Sequence, residues 1–145
     1  MDIYETAVLD YCCAPPGRFA SPQFHIPWEN GAGGSLPDFV VLDLNLSTVY
    51  IVEVTHASNP KPILARVAER EARWLMPLRA TLARIHKPIE QWRFHVTIFL
   101  REEVCSDVES ELKGLEDVSV ISLDRVMFPW RWKWVTSDTP ENPLE

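Results

Sequence analysis

Apolar residues concentrate in two dense blocks near the middle of the chain, residues 39–44 and 49–54, separated by Asn45-Leu46-Ser47-Thr48. Both blocks are rich in Val, Ile and Leu, and the break between them suits a loop of about two to four residues, so the pattern predicts a β-hairpin. Upstream, Ile3, Tyr4, Ala7, Val8 and Tyr11 recur at helical spacing, which predicts a helix over residues 2–13 ended by Pro15-Pro16-Gly17. Residues 19–34 are rich in Pro and Gly. Within them, residues 23–28 predict a short strand with Phe24, Ile26 and Trp28 on one face. Residues 29–34 predict a flexible loop that lacks the lysine and following helix of a phosphate-binding loop.

Beyond the hairpin the period changes. Ile63, Leu64, Val67, Trp74, Leu75, Leu78, Leu82 and Ile85 share one apolar arc at about 100° per residue, a helix beginning near residues 60–63 with Asn59 placed to cap it. Pro77 lies inside this run and should kink or divide it near Met76. Glu71 falls within the arc, either as a paired core acid or as an extra site carboxylate. Residues 91–100 predict a strand with Phe94, Val96 and Ile98 on one face. Residues 106–113 predict a short helix capped by Ser106 and Glu109 and stopped by Gly114, and residues 118–123 a last strand. The predicted order is helix, three strands, helix, strand, helix, strand.

Two carboxylates mark the open end of the apolar hairpin: Asp38 where its first arm begins and Glu53 where its second arm ends. Folding the arms together brings Asp38 opposite residues 53–55, within a residue or two of register. Two acids crowded on a buried sheet repel each other and are costly to desolvate unless a cation lies between them. A hard divalent ion suits such a pair, because Mg²⁺ takes one or two carboxylates plus water or phosphate oxygens.

Pro37-Asp38, a spacer of 14 residues and then Glu53-Val54-Thr55 resemble the PD-(D/E)xK nuclease signature, with Thr55 where that superfamily carries its lysine. The resemblance implies a restriction-endonuclease-like α-β-β-β-α-β core, a mixed central sheet flanked by helices, with an extra C-terminal α-β. It implies a DNA endonuclease using Mg²⁺ or Mn²⁺, held by Asp38, Glu53 and the Val54 carbonyl, with Glu5 assisting from the first helix. Thr55 could position a water but carries no charge, so the missing cation would come from Lys61, or else from Arg66 or Arg70. His56 alternates to the other strand face. Loss of the lysine also fits a nuclease-fold protein that binds nucleic acid or a protein partner without cleaving. The blander reading is an unrelated small α/β interaction protein, in which Asp38 merely opens a strand after a proline turn.

Charge changes the picture more by distribution than by sum. The chain carries a net −7, yet residues 60–101 hold nine Lys/Arg against three acids, leaving −13 for the rest. Arg66, Arg70, Arg73 and Arg84 share one helix flank, and a stripe of this kind beside the site suits DNA phosphates. Near the end, Trp130, Trp132 and Trp134 alternate with Arg131 and Lys133, giving an aromatic face for base stacking, for sheet packing or for a homodimer. Residues 136–145 are acidic and Pro-rich, a mobile tail to a single domain of residues 1–135. An apolar content of 46% with 24% charged residues is that of an ordinary globular chain. No run reaches the roughly 18 residues of a membrane helix, and the first residues lack a signal-peptide pattern, so a cytoplasmic protein is expected. Three cysteines, two of them adjacent, make neither a disulfide framework nor a zinc site.

Overall fold

β5 (Thr48–Val54) is buried along almost its whole length. Such a strand must be covered on both faces and paired on both edges. It pairs antiparallel with β4 (Phe39–Asp43) on one side and parallel with β6 (Arg93–Leu100) on the other. β1 (Arg18–Pro22) lies antiparallel to β4, and β7 (Val118–Ser122) parallel to β6, giving a five-stranded mixed sheet ordered β1-β4-β5-β6-β7. The remaining strands, β2 (Ile26–Pro27) and β3 (Gly34–Ser35), form a separate two-stranded ribbon. The computed structural model describes residues 1–129, 132, 144 and 145.

Alternation along each strand divides the apolar residues between two faces. Val40, Val49, Ile51, Val96, Ile98 and Leu100 meet α2 (Lys61–Ala68), α3 (Met76–Ile85) and α4 (Glu102–Glu111) on one side. Phe39, Val41, Tyr50, Val52, Phe99 and Ile121 meet α1 (Ile3–Cys13) and α5 (Leu123–Met127) on the other. The result is a three-layer α/β/α arrangement. No helix among the described residues is long and apolar enough to cross a membrane.

The hairpin turn is set by Asp43. Its carboxylate accepts the Asn45 and Leu46 backbone N–H groups, each at 2.9 Å, and pairs with buried Arg18 at 2.8 Å. Asp43 is thus a turn-forming acid anchored to the edge strand.

Two expected elements and two residue placements differ from expectation. The first sheet strand is Arg18–Pro22, not residues 23–28. As an edge strand it leaves Phe19 61% exposed, so no alternation marks it, and Pro22 costs no inward hydrogen bond at its end. α4 starts at Glu102 and passes through Ser106, so the capping pattern seen there is internal. Its first turn instead carries Glu102 and Glu103, acids that suit a helix N-terminus. Glu71 and Ile85 are exposed rather than in the apolar arc.

The cause of that last difference is a π-turn, Glu71–Leu75, between α2 and α3. It inserts an extra residue and resets the helical wheel. Met76 N–H reaches back five residues to the Glu71 carbonyl. Pro77 then has no N–H to offer the Arg73 carbonyl, which would be left unpaired. The indole N–H of Trp28 fills that place, donating to Arg73 O at 3.2 Å. Next to it, the Trp74 indole donates to Ser35 Oγ of the ribbon at 2.8 Å. Close approach at the ribbon explains Gly34: a Cβ there would lie 2.5 Å from the Ile26 carbonyl oxygen. Trp28→Phe should therefore cost about 1–2 kcal/mol in urea unfolding. The same substitution should cost clearly less in a Pro77→Ala background, where an N–H is restored; equal costs in both would break the link between Trp28 and the proline.

Candidate functional site

Residue-by-residue pairing from Phe39↔Val52 continues one step to place Asp38 across from Glu53. Both follow the alternation of Val40 and Ile51, so both face the α2–α3 layer. Asp38 is fixed twice. Its carbonyl accepts the Gln23 N–H at 2.9 Å, and its carboxylate accepts the Val54 N–H at 2.7 Å. In extended backbone the N–H and C=O of one residue point the same way, so the Val54 carbonyl is also aimed toward β4.

Glu53 is only 6% exposed. Burial, and then the negative charge of Asp38, push its carboxyl up to about 8, while Arg66 and Arg73 work in the opposite direction. Asp38 is raised as well, first by burial and then by the charge of Glu5; the Val54 N–H and Arg66 offset part of this. Each carboxyl thus raises or answers the proton affinity of the other. Near neutrality, without a cation, the pair therefore shares a proton, with Glu53 as the protonated partner.

Glu5 has two positions to fill at once. Its carboxylate accepts the Asp2 N–H at 3.1 Å while Asp2 accepts the Glu5 N–H at 2.8 Å, a reciprocal cap on α1. It also lines a cleft of about 220 Å³ with Met1, Pro22, Gln23, Asp38 and Phe39, and so comes beside Asp38. Thr55 donates its N–H to the Phe99 carbonyl at 3.0 Å, and its hydroxyl accepts the Ala57 N–H at 3.2 Å, which shapes the turn after β5. His56 leaves toward the other layer and stacks on Tyr4, ring centroids 5.0 Å apart.

The cations sort differently from their sequence order. Lys61 is exposed at the start of α2, its N–H bonded to Asn59 Oδ1 at 3.1 Å. Arg66 is the cation that acts most strongly on Glu53, and Arg73 follows. Both are half-buried, and the Nε atoms of both are buried without a hydrogen-bond partner among the described residues. Arg70 turns elsewhere: it grips Asp117 through two bonds of 2.7 and 3.0 Å and also donates to the Val67 carbonyl. Arg79 is likewise engaged, donating to the Glu90 and Trp92 carbonyls over the Phe94 ring. Arg73 opens onto a groove of about 440 Å³ beside Trp28, Glu29, Ala72 and Met76.

Among the described residues, no three His, Cys, Asp or Glu side chains converge into a metal cluster on their own. The pair nevertheless fits a hard divalent ion. Two carboxyls forced together with raised proton affinity, and a neighbouring carbonyl aimed the same way, make a donor set that a cation could take over from the shared proton. Of the aromatic segment, Trp130 and Trp134 lie outside the described residues. Trp132 packs edge-on against Tyr11, with centroids 5.4 Å apart, and donates to the Val126 carbonyl at 3.1 Å. Of the acidic tail, residues 136–143 lie outside the described residues. No known protein family, characterised protein or solved structure matches the chain.

Proposed function

We propose that this protein is a metal-dependent DNA endonuclease with a restriction-endonuclease-like core, hydrolysing phosphodiesters at Asp38 and Glu53. The observation that carries the reading is the opposed, crowded carboxyl pair at the open end of a central hairpin, acted on by two arginines whose Nε atoms are buried and unpartnered among the described residues. The element order supports it too. A helix, three antiparallel strands, a helical crossover and a parallel strand lead into a further helix and parallel strand.

A bound Mg²⁺ or Mn²⁺ would supply Lewis acidity and an acidified water for in-line attack at phosphorus. Asp38, Glu53 and the Val54 carbonyl would hold it, with Glu5, which lines the same cleft as Asp38, assisting. Glu53 must give up its proton to do so. Arg66, unpartnered at Nε among the described residues and the cation that acts most strongly on Glu53, is the group best placed to take the charge that builds on the phosphoryl oxygens, the part a lysine at Thr55 would play. Among the described residues, Arg73 is the one cation in the lining of the groove beside Trp28, which also carries Glu29 and Glu69. Arg70, held by Asp117, contributes shape rather than grip.

One observation favours a second reading. The Thr55 hydroxyl is used in a turn, so no residue at the motif's own third position offers a charge, as in a nuclease-fold protein that binds nucleic acid or a partner without cleaving it. The experiment that separates the two is incubation of the pure protein with supercoiled, linear and single-stranded DNA in Mg²⁺ or Mn²⁺ and in chelator. Metal-dependent nicking or cutting is the expected outcome. Calorimetric Mn²⁺ binding in two buffers of different ionisation heat should also show proton release on uptake, as Glu53 exchanges its proton for metal. Binding with no cleavage on any DNA form would establish the inactive-fold reading, and no binding would remove both.

A further inference from the structure

At the opposite end of β5 and β6 from the acid pair, on the face that carries α1 and α5, the sheet presents an unusual run of polar side chains. Tyr50, His95 and Thr97 belong to the buried part of that face, and Arg93 stands at its margin. A dipeptide is seated on them. Leu144 is fully buried, and its carbonyl accepts the Thr97 hydroxyl at 2.7 Å. The Glu145 carboxylate accepts the Tyr50 hydroxyl at 2.9 Å and Arg93 Nη1 at 2.6 Å, and is also bonded by Arg93 Nη2.

His95 is the odd member. It is 2% exposed, its Nε2 lies 2.8 Å from Ser119 Oγ, and its Nδ1 is buried without a hydrogen-bond partner among the described residues, 3.7 Å from Glu145 Oε1. Beside a carboxylate the favoured tautomer keeps the proton on Nδ1 and lets Nε2 accept from the serine. The cradle then offers four convergent donors: two guanidinium N–H groups, one phenol and one imidazole N–H. A planar carboxylate reaches three of them and leaves the imidazole at 3.7 Å. A tetrahedral oxyanion has a third oxygen to place there. A planar guanidinium fork against two oxygens, flanked by a phenol and an imidazole, is a donor set suited to phosphate.

We propose that Tyr50, Arg93 and His95 form a second anion site, built for a phosphate-type oxyanion, and that the Glu145 carboxylate is its internal occupant. The site is separate from Asp38 and Glu53 and does not depend on cleavage. Occupation by Glu145 makes it a gated site, because an external anion must displace a tethered one. Apparent affinity is then lowered by the fraction of molecules whose site is free. The source of the anion is either free phosphate or a phosphate monoester such as a nucleic-acid 5′ end, and both present the same three terminal oxygens.

The test uses the full chain and inorganic phosphate, with the His95 ring signals followed by NMR. Glu145→Ala should bind phosphate saturably in the millimolar range, roughly tenfold or more tighter than wild type. Adding Arg93→Ala should abolish the response. Glu145→Gln, which keeps the side-chain shape, serves the same purpose should the alanine variant melt early. A 5′-phosphorylated dinucleotide that competes at His95, where its unphosphorylated form does not, would assign the ester as a source; indifference would assign the free ion. A folded Glu145→Ala or Glu145→Gln protein whose His95 signals do not respond to phosphate would overturn the site, and so would a response that survives Arg93→Ala.

Discussion

Glu53→Gln should abolish metal-dependent DNA cleavage and, at the same time, stabilise the metal-free protein at pH 8 by up to about 4 kcal/mol. The two effects have one cause. Glu53 keeps its proton in the folded protein up to about pH 8, because it is buried against Asp38, whereas in the unfolded chain it loses it in the ordinary carboxylate range. Between those limits the folded state holds a proton that the unfolded state has released. The stabilisation tied to protonated Glu53 is therefore complete below the ordinary range and is lost as pH rises through about 8. Glutamine keeps the neutral shape and never ionises, so its stability should not fall in that window. Urea unfolding in chelator at about pH 5 and about pH 8 checks this: the variant should gain on wild type only at the higher pH. In the functional protein the cost of ionising Glu53 would be met by metal binding, and glutamine forfeits that exchange. Asp38→Ala should also be inactive, but it leaves the Val54 N–H without its acceptor, so no comparable gain in stability is expected. A wild-type protein equally stable at both pH values would show that the two carboxyls do not crowd each other.

What could be read from the chain, and what could not, divides along physical lines. The hairpin and the facing of Asp38 and Glu53 were legible, because a two-sided apolar strand and a short loop leave few registers open. β6 and the crossover helix were legible for the same reason: they are buried, and burial writes itself as periodicity; β7, half-buried at the other sheet edge, showed as a Val/Ile run. β1 was not, since an edge strand with Phe19 outward carries no pattern. The π-turn was not either, because it depends on a tertiary hydrogen bond from Trp28 to a carbonyl that Pro77 cannot serve. Nor was the sorting of the cations, which tertiary partners decide. A regular wheel puts Arg66, Arg70 and Arg73 on one flank, yet Arg70 is drawn to Asp117, 47 residues away in sequence, while Arg66 and Arg73 act on Glu53. The Tyr50–Arg93–His95 cradle had no sequence signal except polar residues in strands that are otherwise apolar. Such residues demand partners, and here the partners lie in distant parts of the chain.

Arg66→Ala should slow cleavage by about 10²–10³-fold while Lys61→Ala leaves it within about twofold. Lys61 has the reach expected of a substitute lysine, but its ammonium is solvated at the start of α2, whereas Arg66 is half-buried, with its Nε unpartnered among the described residues, and is the first cation felt by Glu53. Two roles for Arg66 must be told apart. It could act only by neutralising the acid pair, or it could act on the phosphoryl group as charge develops. Removing a cation beside two carboxylates should strengthen their hold on both protons and metal, so Mn²⁺ should bind the alanine variant as tightly as wild type or tighter. Under the first role, saturating metal and a pH of about 9, above the Glu53 value of about 8, should restore the rate. Under the second, the rate stays low although the metal site is full and Glu53 is ionised, because the missing interaction is one made in the transition state. The second outcome is expected. Arg66→Lys should recover part of the loss, since an ammonium supplies charge without the planar fork that meets two phosphate oxygens together. Full recovery of Arg66→Ala at high pH and high metal would return Arg66 to a supporting role and leave the charge at Thr55 unreplaced.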